Sequence, residues 1–147
     1  MHAGGVRLNT FHLKIVAHNK VFFDGQAVSI NVPAIDGNYQ LLSMHEDVVV
    51  AIVPGDFEII DTDGNHIHAV CGTGYLQFDN DPNEGEMLVD TIERPEEIDV
   101  RRAREAKEWA EEELRQKRSI LEHHASQAAL ARAMARLKEA GKYRGNI

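Results

Sequence analysis

The chain has 147 residues, 43% of them hydrophobic and 27% charged, which is typical of a globular protein. Its formal net charge of −8 argues against a nucleic-acid partner, because phosphate binding needs a basic surface. A single cysteine, Cys71, excludes an internal disulfide and a multi-cysteine zinc site. No apolar run approaches the roughly 20 residues that span a bilayer, and no signal-peptide pattern opens the sequence, so we expect a protein that stays inside the cell.

The composition changes near residue 95. Residues 1–95 contain 4 Lys and Arg against 14 Asp and Glu, whereas residues 96–147 contain 12 against 10. The first part also holds all 4 prolines, 9 of the 11 glycines, and 23 Val, Ile and Thr residues against 4 in the second. We therefore predict a β-domain over residues 1–95 and an α-helical domain over residues 96–147, with residues 1–9 disordered.

The β-domain shows short strand patterns separated by turn residues. Alternation of apolar and polar residues in Phe11–Ala17 and Val28–Val32 predicts strands with one buried face. The continuous apolar run Val48–Val53 predicts a strand buried on both faces, and Asp63-Gly64 predicts a tight hairpin turn. The spacing favours an antiparallel β-sandwich or barrel. Strands are predicted at residues 11–17, 28–32, 48–53, 57–62, 65–71, 75–78 and 87–92.

The second domain is predicted to be an antiparallel helical hairpin that turns near residues 117–119. Pro95 followed by two glutamates predicts the start of the first helix, Ser119 with Glu122 fits a capping box for the second, and Gly141 is predicted to end it. The apolar stripes are mostly alanine, which buries little area, so we hypothesise that the hairpin is weakly held and can open into one long helix. The stripes comprise Ile98, Ala103, Ala106, Ala110 and Leu114, then Leu121, Ala125, Ala128, Leu130, Ala133, Met134 and Leu137.

The sequence predicts neither a catalytic centre nor a metal site. His66 and His68 share one strand face, but no HExxH-like spacing supplies a third ligand, so we interpret the histidines as structural, with a metal site as the alternative. Cys71 is interpreted as a core thiol, and the acidic stretch at residues 79–86 as a solvated turn rather than a calcium loop. Phosphate-binding glycine loops and nucleophile elbows are also missing from the sequence.

Three arginines on the predicted helices suggest an anion site. Arg132 and Arg136 lie four residues apart on one helical face, and Arg102 approaches them if the hairpin closes. Guanidinium groups present rigid forks of donors that suit phosphates. The alternative is a solvated basic face.

Three motifs, in order, resemble the epsilon subunit of the F-type ATP synthase over roughly residues 9–140. The first runs from Asp36-Gly37-Asn38 through His45 to Pro54-Gly55 and is similar to the family's glycine-rich loop, with Gln40, Ser43 and Asp47 in place of its usual Gly, Pro and Pro. Ile98-Asp99-Val100-Arg101-Arg102-Ala103 matches an Ile-Asp-x-x-Arg-Ala motif. The stretch from Ala129 to Leu137 matches an alanine- and arginine-rich second helix.

The resemblance implies a ten-stranded β-sandwich followed by two helices, in a non-catalytic subunit of the central stalk. The sandwich would bind the gamma subunit and the c-ring, with Gly37, Leu42 and His45 as partner contacts. The helices would either fold down on the sandwich or extend toward the catalytic alpha and beta subunits, where they restrain ATP hydrolysis. The subunit would be peripheral, on the cytoplasmic face of the bacterial plasma membrane.

Some bacterial members of the family bind ATP as a regulatory ligand when the helices are folded down, and the resemblance implies no required cofactor. Trp109 stands where nucleotide-binding relatives carry another arginine. A free-standing ATP sensor, or an adaptor with a coiled-coil arm, remains the alternative to a stalk subunit. Carried over residue by residue, the implied ATP-binding positions are Glu93, Ile98, Asp99, Arg102, Ala103, Arg132 and Arg136.

Overall fold

The computed structural model describes residues 10–116 and 120–144 of the chain. The predictions for residues 1–9, for the helical turn at 117–119 and for the Ser119 capping box lie outside the described residues. The described part of the chain forms a β-sandwich of nine strands followed by two packed helices. The predicted fold class is therefore confirmed, with nine described strands where about ten were expected.

The nine strands alternate with short turns along residues 11–93. One pairing among them, β1 with β8, is parallel, and the other strand pairs are antiparallel. The strands are β1 (Phe11–Ala17), β2 (Lys20–Ala34), β3 (Gly37–Leu42), β4 (Val48–Ile52), β5 (Gly55–Asp61), β6 (His66–Cys71), β7 (Gly74–Asp79), β8 (Glu84–Val89) and β9 (Ile92–Glu93).

The long strand β2 joins the two halves of the sandwich. Its first half pairs with β1, and the sheet continues from β1 through β8 and β7 to β4. Its second half pairs with β3 on one edge and with β5 on the other, and β5 continues through β6 to β9. A single pair, Ala34 with Ile52, also connects β2 to β4. The apolar core between these strands is contiguous and includes three buried phenylalanines, Phe11, Phe57 and Phe78.

Two strands depart from the predicted burial pattern. In β4, Val49 is 67% exposed and Ala51 is exposed, so the prediction of a strand buried on both faces is wrong. In β2, the register with β5 shifts between Ala27 and Ser29, and both of these residues are buried while Val28 is half-buried. The irregularity breaks the simple alternation that the sequence predicted for residues 28–32.

The hairpin between β5 and β6 forms where Asp63-Gly64 predicted it. Gly64 has φ of +82°, a conformation that glycine adopts without a Cβ clash. The Asp61 carboxylate accepts hydrogen bonds from the backbone N–H groups of Asp63 and Asn65, both at 2.9 Å. These bonds, led by the one from Asn65, lower the pKa of Asp61. The turn fixes a register in which Glu58 lies opposite His68.

The first helix begins later than predicted, and the second helix ends later than predicted. Pro95–Glu97 is a single 3-10 turn, and helix α1 runs over Val100–Arg115 with Asp99 as its N-cap. The early start was wrong because Ile98 and Asp99 have extended backbone conformations. Helix α2 runs over Ile120–Arg144, so Gly141 lies inside it rather than ending it.

The apolar stripe of α2 differs from the predicted one. Ala125 is exposed and Met134 is 52% exposed, whereas Ala133 is buried as predicted. The buried positions include Ser126 and Glu139, which no apolar pattern could reveal. The side chain of Leu121 lies outside the described part of α2. Helix α2 packs along α1 and also against β5 and β6, so the hairpin is folded down on the sandwich.

Candidate functional site

A small apolar cluster, the docking cluster, holds the helices on the sandwich. It comprises Val70 from β6, Ile98, Ala103 of α1, and Ala135 and Ala140 of α2, each of them at most 6% exposed. Leu137 and Val100 pack at its edge. Three of the five buried members are alanines, each of which contributes far less than a leucine by burial at about 25 cal/mol per Å². The docking cluster is separate from the main core of the sandwich.

Beside the docking cluster lies an open cleft of about 240 Å³ formed by four elements of the fold. Glu93 comes from β9, Arg136 from α2, and the remaining lining residues from the 3-10 turn and the start of α1. The cleft therefore brings together five of the seven residues predicted to bind ATP. The cleft is lined by Glu93, Glu97, Asp99, Arg102, Ala103, Ala106 and Arg136.

The polar groups of the cleft have local partners. Arg136 Nε donates to Glu93 Oε1, an ion pair whose two side chains are each about 30% exposed. The Asp99 carboxylate accepts from the backbone N–H of Arg102 at 3.1 Å and so caps α1. Glu97 accepts from the backbone N–H of Arg94 at 2.7 Å. The cleft presents two guanidinium groups and the positive end of α1, balanced by three carboxylates.

The other two predicted residues lie outside the lining of this cleft. Ile98 is buried in the docking cluster and lines a neighbouring cavity of about 590 Å³, which shares Glu97 and Asp99 with the cleft. Its carbonyl oxygen accepts from Arg144 Nη2 at 3.2 Å. Arg132 is half-buried one helical turn before Arg136 and does not line the cleft. Trp109 is 55% exposed on α1.

Polar contacts accompany the docking cluster at the C-terminal end of α2. Lys138 Nζ donates to Asp56 Oδ2 at 3.0 Å, and this pairing raises the pKa of Lys138. Burial acts to raise the pKa of Asp56, but hydrogen bonds with Glu139 and Lys138 outweigh it and leave that pKa lowered. Burial and the nearby Asp56 raise the pKa of Glu139. Sequence reasoning missed Glu139, because a charged residue on a helix is ordinarily exposed.

The residues predicted to contact partners lie at two separate places on β3 and the loop after it. Gly37 begins β3 and Leu42 ends it, about 17 Å apart for a six-residue strand. Leu42 is 50% exposed. His45 is half-buried, with its Nε2 at 2.9 Å from the hydroxyl of Tyr39 and its Nδ1 at 2.7 Å from the carbonyl oxygen of Glu46. The structure therefore gives His45 a clear role in holding the loop.

The turn between β7 and β8 fixes the loop at residues 43–47. Asn80 Nδ2 donates to the carbonyl oxygens of Met44 and His45 at 2.9 and 3.1 Å. Asn83 Oδ1 accepts from the backbone N–H of Met44 at 2.7 Å. Asp47 Oδ1 accepts from the backbone N–H of Asn80 at 2.8 Å. Met44, which is 57% exposed, is thus presented on an ordered loop beside Leu42.

Cys71 and the histidines occupy different environments. Cys71 is 1% exposed, and burial raises the pKa of its thiol to about 12, as expected of a core residue. His66 and His68 both lie beside Glu58 of the neighbouring strand. Glu58 is a possible third metal ligand beside the two histidines, which their spacing in the sequence did not reveal. The hairpin register set by Asp63-Gly64 is the signal that could have found it.

Both halves of the chain match known family models. The beta-sandwich domain of the ATP synthase Delta/Epsilon chain matches residues 10–95, and its long alpha-helix domain matches residues 96–141. The chain belongs to the ATP synthase Delta/Epsilon chain family. A member of this family is a non-catalytic subunit of ATP synthase. Neither of the two described helices is long and apolar enough to cross a membrane.

Relatives and solved structures agree with the family. The ATP synthase epsilon chain of Ruminiclostridium cellulolyticum is 39% identical over 92% of this chain and 98% of the relative. That of Caldanaerobacter subterraneus is 38% identical over 91% of this chain and 96% of the relative. A chain of the Euglena gracilis mitochondrial ATP synthase shares the fold, with a TM-score of 0.77 at 18% identity, covering 91% of this chain and 82% of that one.

Proposed function

We propose that this Delta/Epsilon family chain couples and regulates a rotary ATP synthase. In this proposal the sandwich binds the gamma subunit and rests on the c-ring, while the two helices leave the sandwich and extend toward the alpha and beta subunits to restrain ATP hydrolysis. A chain from the central stalk and c-ring structure of the Tetrahymena thermophila mitochondrial ATP synthase has a similar fold. Its TM-score is 0.62 at 15% identity, and the match covers 87% of this chain and 94% of that chain. In a bacterium the subunit would lie on the cytoplasmic face of the plasma membrane, peripheral to it.

The small size of the docking cluster supports the proposal that the two helices can leave the sandwich. Its contacts with the sandwich involve one residue of the sheet, Val70, and mostly alanines from the helices. Such an interface leaves the docked and extended states close in free energy, so a ligand or partner that prefers one state changes the population of both.

The residues that line the cleft support the proposal that ATP binds to the docked state and stabilises it. Its lining combines Glu93 of β9, Arg102 of α1 and Arg136 of α2, so it exists only while both helices lie on the sandwich. This juxtaposition is the observation that carries the proposal. Phosphate oxygens bridging Arg102 and Arg136 would stabilise the docked helices, because the extended form cannot make both contacts. The volume of about 240 Å³ is below the usual range for ligand pockets, so part of the nucleotide would remain in solvent.

Calorimetric titration of the full chain with ATP tests the cleft. We expect one binding site and a loss of at least about tenfold in affinity for Arg102→Ala and for Arg136→Ala, since each removes hydrogen bonds to a charged group. Arg104→Ala is the matched control, because Arg104 is an exposed arginine of α1 outside the cleft lining. Absence of binding at millimolar ATP, or equal binding by all three variants, would rule out the nucleotide site.

Reconstitution of the assembled ATP synthase tests the regulatory role separately. We compare the full chain with a version truncated after residue 95, which retains the sandwich. The truncated subunit should still assemble and support ATP synthesis, while ATP hydrolysis should increase because the restraining helices are missing. Equal hydrolysis by the two complexes would contradict the inhibitory role, and failure of either chain to join the stalk would contradict the proposed position.

A further inference from the structure

Three side chains on the outer face of the sandwich converge below the end of α2. Glu58 lies on β5, opposite His68 of β6, and His66 is two residues away on the same face of β6. Glu58 Oε2 is 2.9 Å from His66 Nδ1 and 3.2 Å from His68 Nε2. All three donor atoms lie within 4.8 Å of one another.

The donor set suits a divalent transition metal. Two imidazole nitrogens and one carboxylate oxygen are the protein ligands of many open zinc sites. Ligands at about 2.0–2.2 Å from a tetrahedral ion are about 3.4 Å apart, so the distance from Glu58 to each histidine need change by only a few tenths of an ångström. The imidazole rings are partly exposed, with 55% of the His66 side chain and 32% of the His68 side chain accessible to solvent, so an ion can reach them.

A second observation comes from helix α2. The Glu139 side chain is only 1% exposed, interacts with Asp56, and accepts from Lys142 Nζ through its Oε2 at 3.4 Å. Its other oxygen, Oε1, is buried and has no geometrically defined hydrogen bond among the described residues. This oxygen lies 3.9 Å from Nδ1 of His68, the ring nitrogen that faces away from Glu58. Metal-bound histidines ordinarily donate their other ring N–H to a carboxylate, which fixes the tautomer and the ring orientation. Glu139 lies where such a carboxylate is needed.

We propose that Glu58, His66 and His68 bind a zinc-class divalent cation, with Glu139 of α2 accepting a hydrogen bond from His68 Nδ1. Because Glu139 reaches this position only when α2 is docked, the bound ion stabilises the docked helices. By thermodynamic reciprocity, docking also raises the affinity for the ion. The site shares no residue with the nucleotide cleft, and the ion can be titrated without ATP.

Titration of the untagged full chain with Zn²⁺, followed by calorimetry, tests the site, and visible absorption of the Co²⁺ form reports the coordination geometry. We expect one equivalent bound, with at least about 100-fold weaker binding for His66→Ala and His68→Ala. His66 is an exposed position, so its variant should fold even if His68→Ala does not. His124→Ala, on the exposed surface of α2, is the matched control and should bind as the wild type does.

Glu139→Gln tests the contact through His68. Removal of an outer carboxylate ordinarily weakens metal binding by about 10- to 100-fold, and we expect that loss with the stoichiometry preserved. Hydrogen exchange of α2 should slow when Zn²⁺ is added to the wild type but not to His66→Ala. The metal site is overturned if saturable binding is missing at millimolar Zn²⁺ or persists in His66→Ala. The link to docking is overturned if Zn²⁺ binds without slowing exchange in α2, or if Glu139→Gln binds as the wild type does.

Discussion

Replacement of Ile98 by alanine is the sharpest test of a movable helical domain. Ile98 is 2% exposed and is one of two branched aliphatic residues buried in the docking cluster, the other being Val70. Isoleucine-to-alanine changes at buried sites cost about 2–5 kcal/mol, because they remove apolar contacts and leave a cavity. A change of about 1.4 kcal/mol alters an equilibrium constant tenfold. Even a loss of about 2 kcal/mol therefore reduces the equilibrium constant between docked and undocked helices by about 30-fold.

Amide hydrogen exchange measured peptide by peptide is the appropriate assay. Ile98 lies outside the main core of the sandwich, so Ile98→Ala should accelerate exchange in the second half of α2 by about 30-fold or more while leaving β1 and β5 unchanged. Ile35→Ala makes the same chemical change at a side chain that is 81% exposed, and it should leave exchange in all these elements unchanged.

Two outcomes would refute this reasoning. If exchange in α2 and in the sandwich accelerates by the same factor, the helices and the sandwich open as one cooperative unit, and the helices do not move independently. If exchange in α2 does not change, the docking cluster does not hold the helices, and another contact, such as the ion pair of Arg136 with Glu93, must do so.

Two further predictions concern the sandwich. Gly74→Ala would place a Cβ 1.9 Å from the carbonyl oxygen of Leu88, so we expect the free energy of unfolding in denaturant to fall by about 3 kcal/mol or more. Gly25→Ala, whose Cβ would meet nothing within 4 Å, should change it little, and equal losses would contradict the prediction. Because Cys71 is buried with a thiol pKa of about 12, iodoacetamide at mildly alkaline pH should react with it only as fast as the sandwich unfolds. Fast alkylation of the native chain, measured by mass spectrometry, would contradict this.

Strands in which buried and exposed residues alternate regularly could be predicted from the sequence. β1 alternates over its whole length because one face contacts the core and the other does not. β4 could not be predicted in the same way, because Val49 on its outer face is as apolar as the buried Val50. An apolar surface residue and a core residue give the same sequence pattern, and only the packing of neighbouring strands distinguishes them.

The candidate cleft was predictable where its residues are close in sequence. Asp99 and Arg102 belong to one capping turn, so the local motif places them together. The contact of Arg136 with Glu93 joins residues 43 positions apart and depends on how α2 meets the sheet, which periodicity does not determine. The sequence also grouped Arg132 with Arg136, but the structure leaves Arg132 outside the cleft lining.

The pairing of β2 with β4 has a consequence for self-association. Among the described residues these strands meet at a single pair, Ala34 with Ile52, so most of one edge of β4 has no strand partner there. Within the same part of the chain, β3 pairs with β2 alone. Both exposed edges flank the ordered loop that carries Met44. Strand edges of this kind are templates for intermolecular β-pairing, so the isolated chain should be most prone to aggregation there. A subunit that covered the loop would therefore also protect the chain from aggregation.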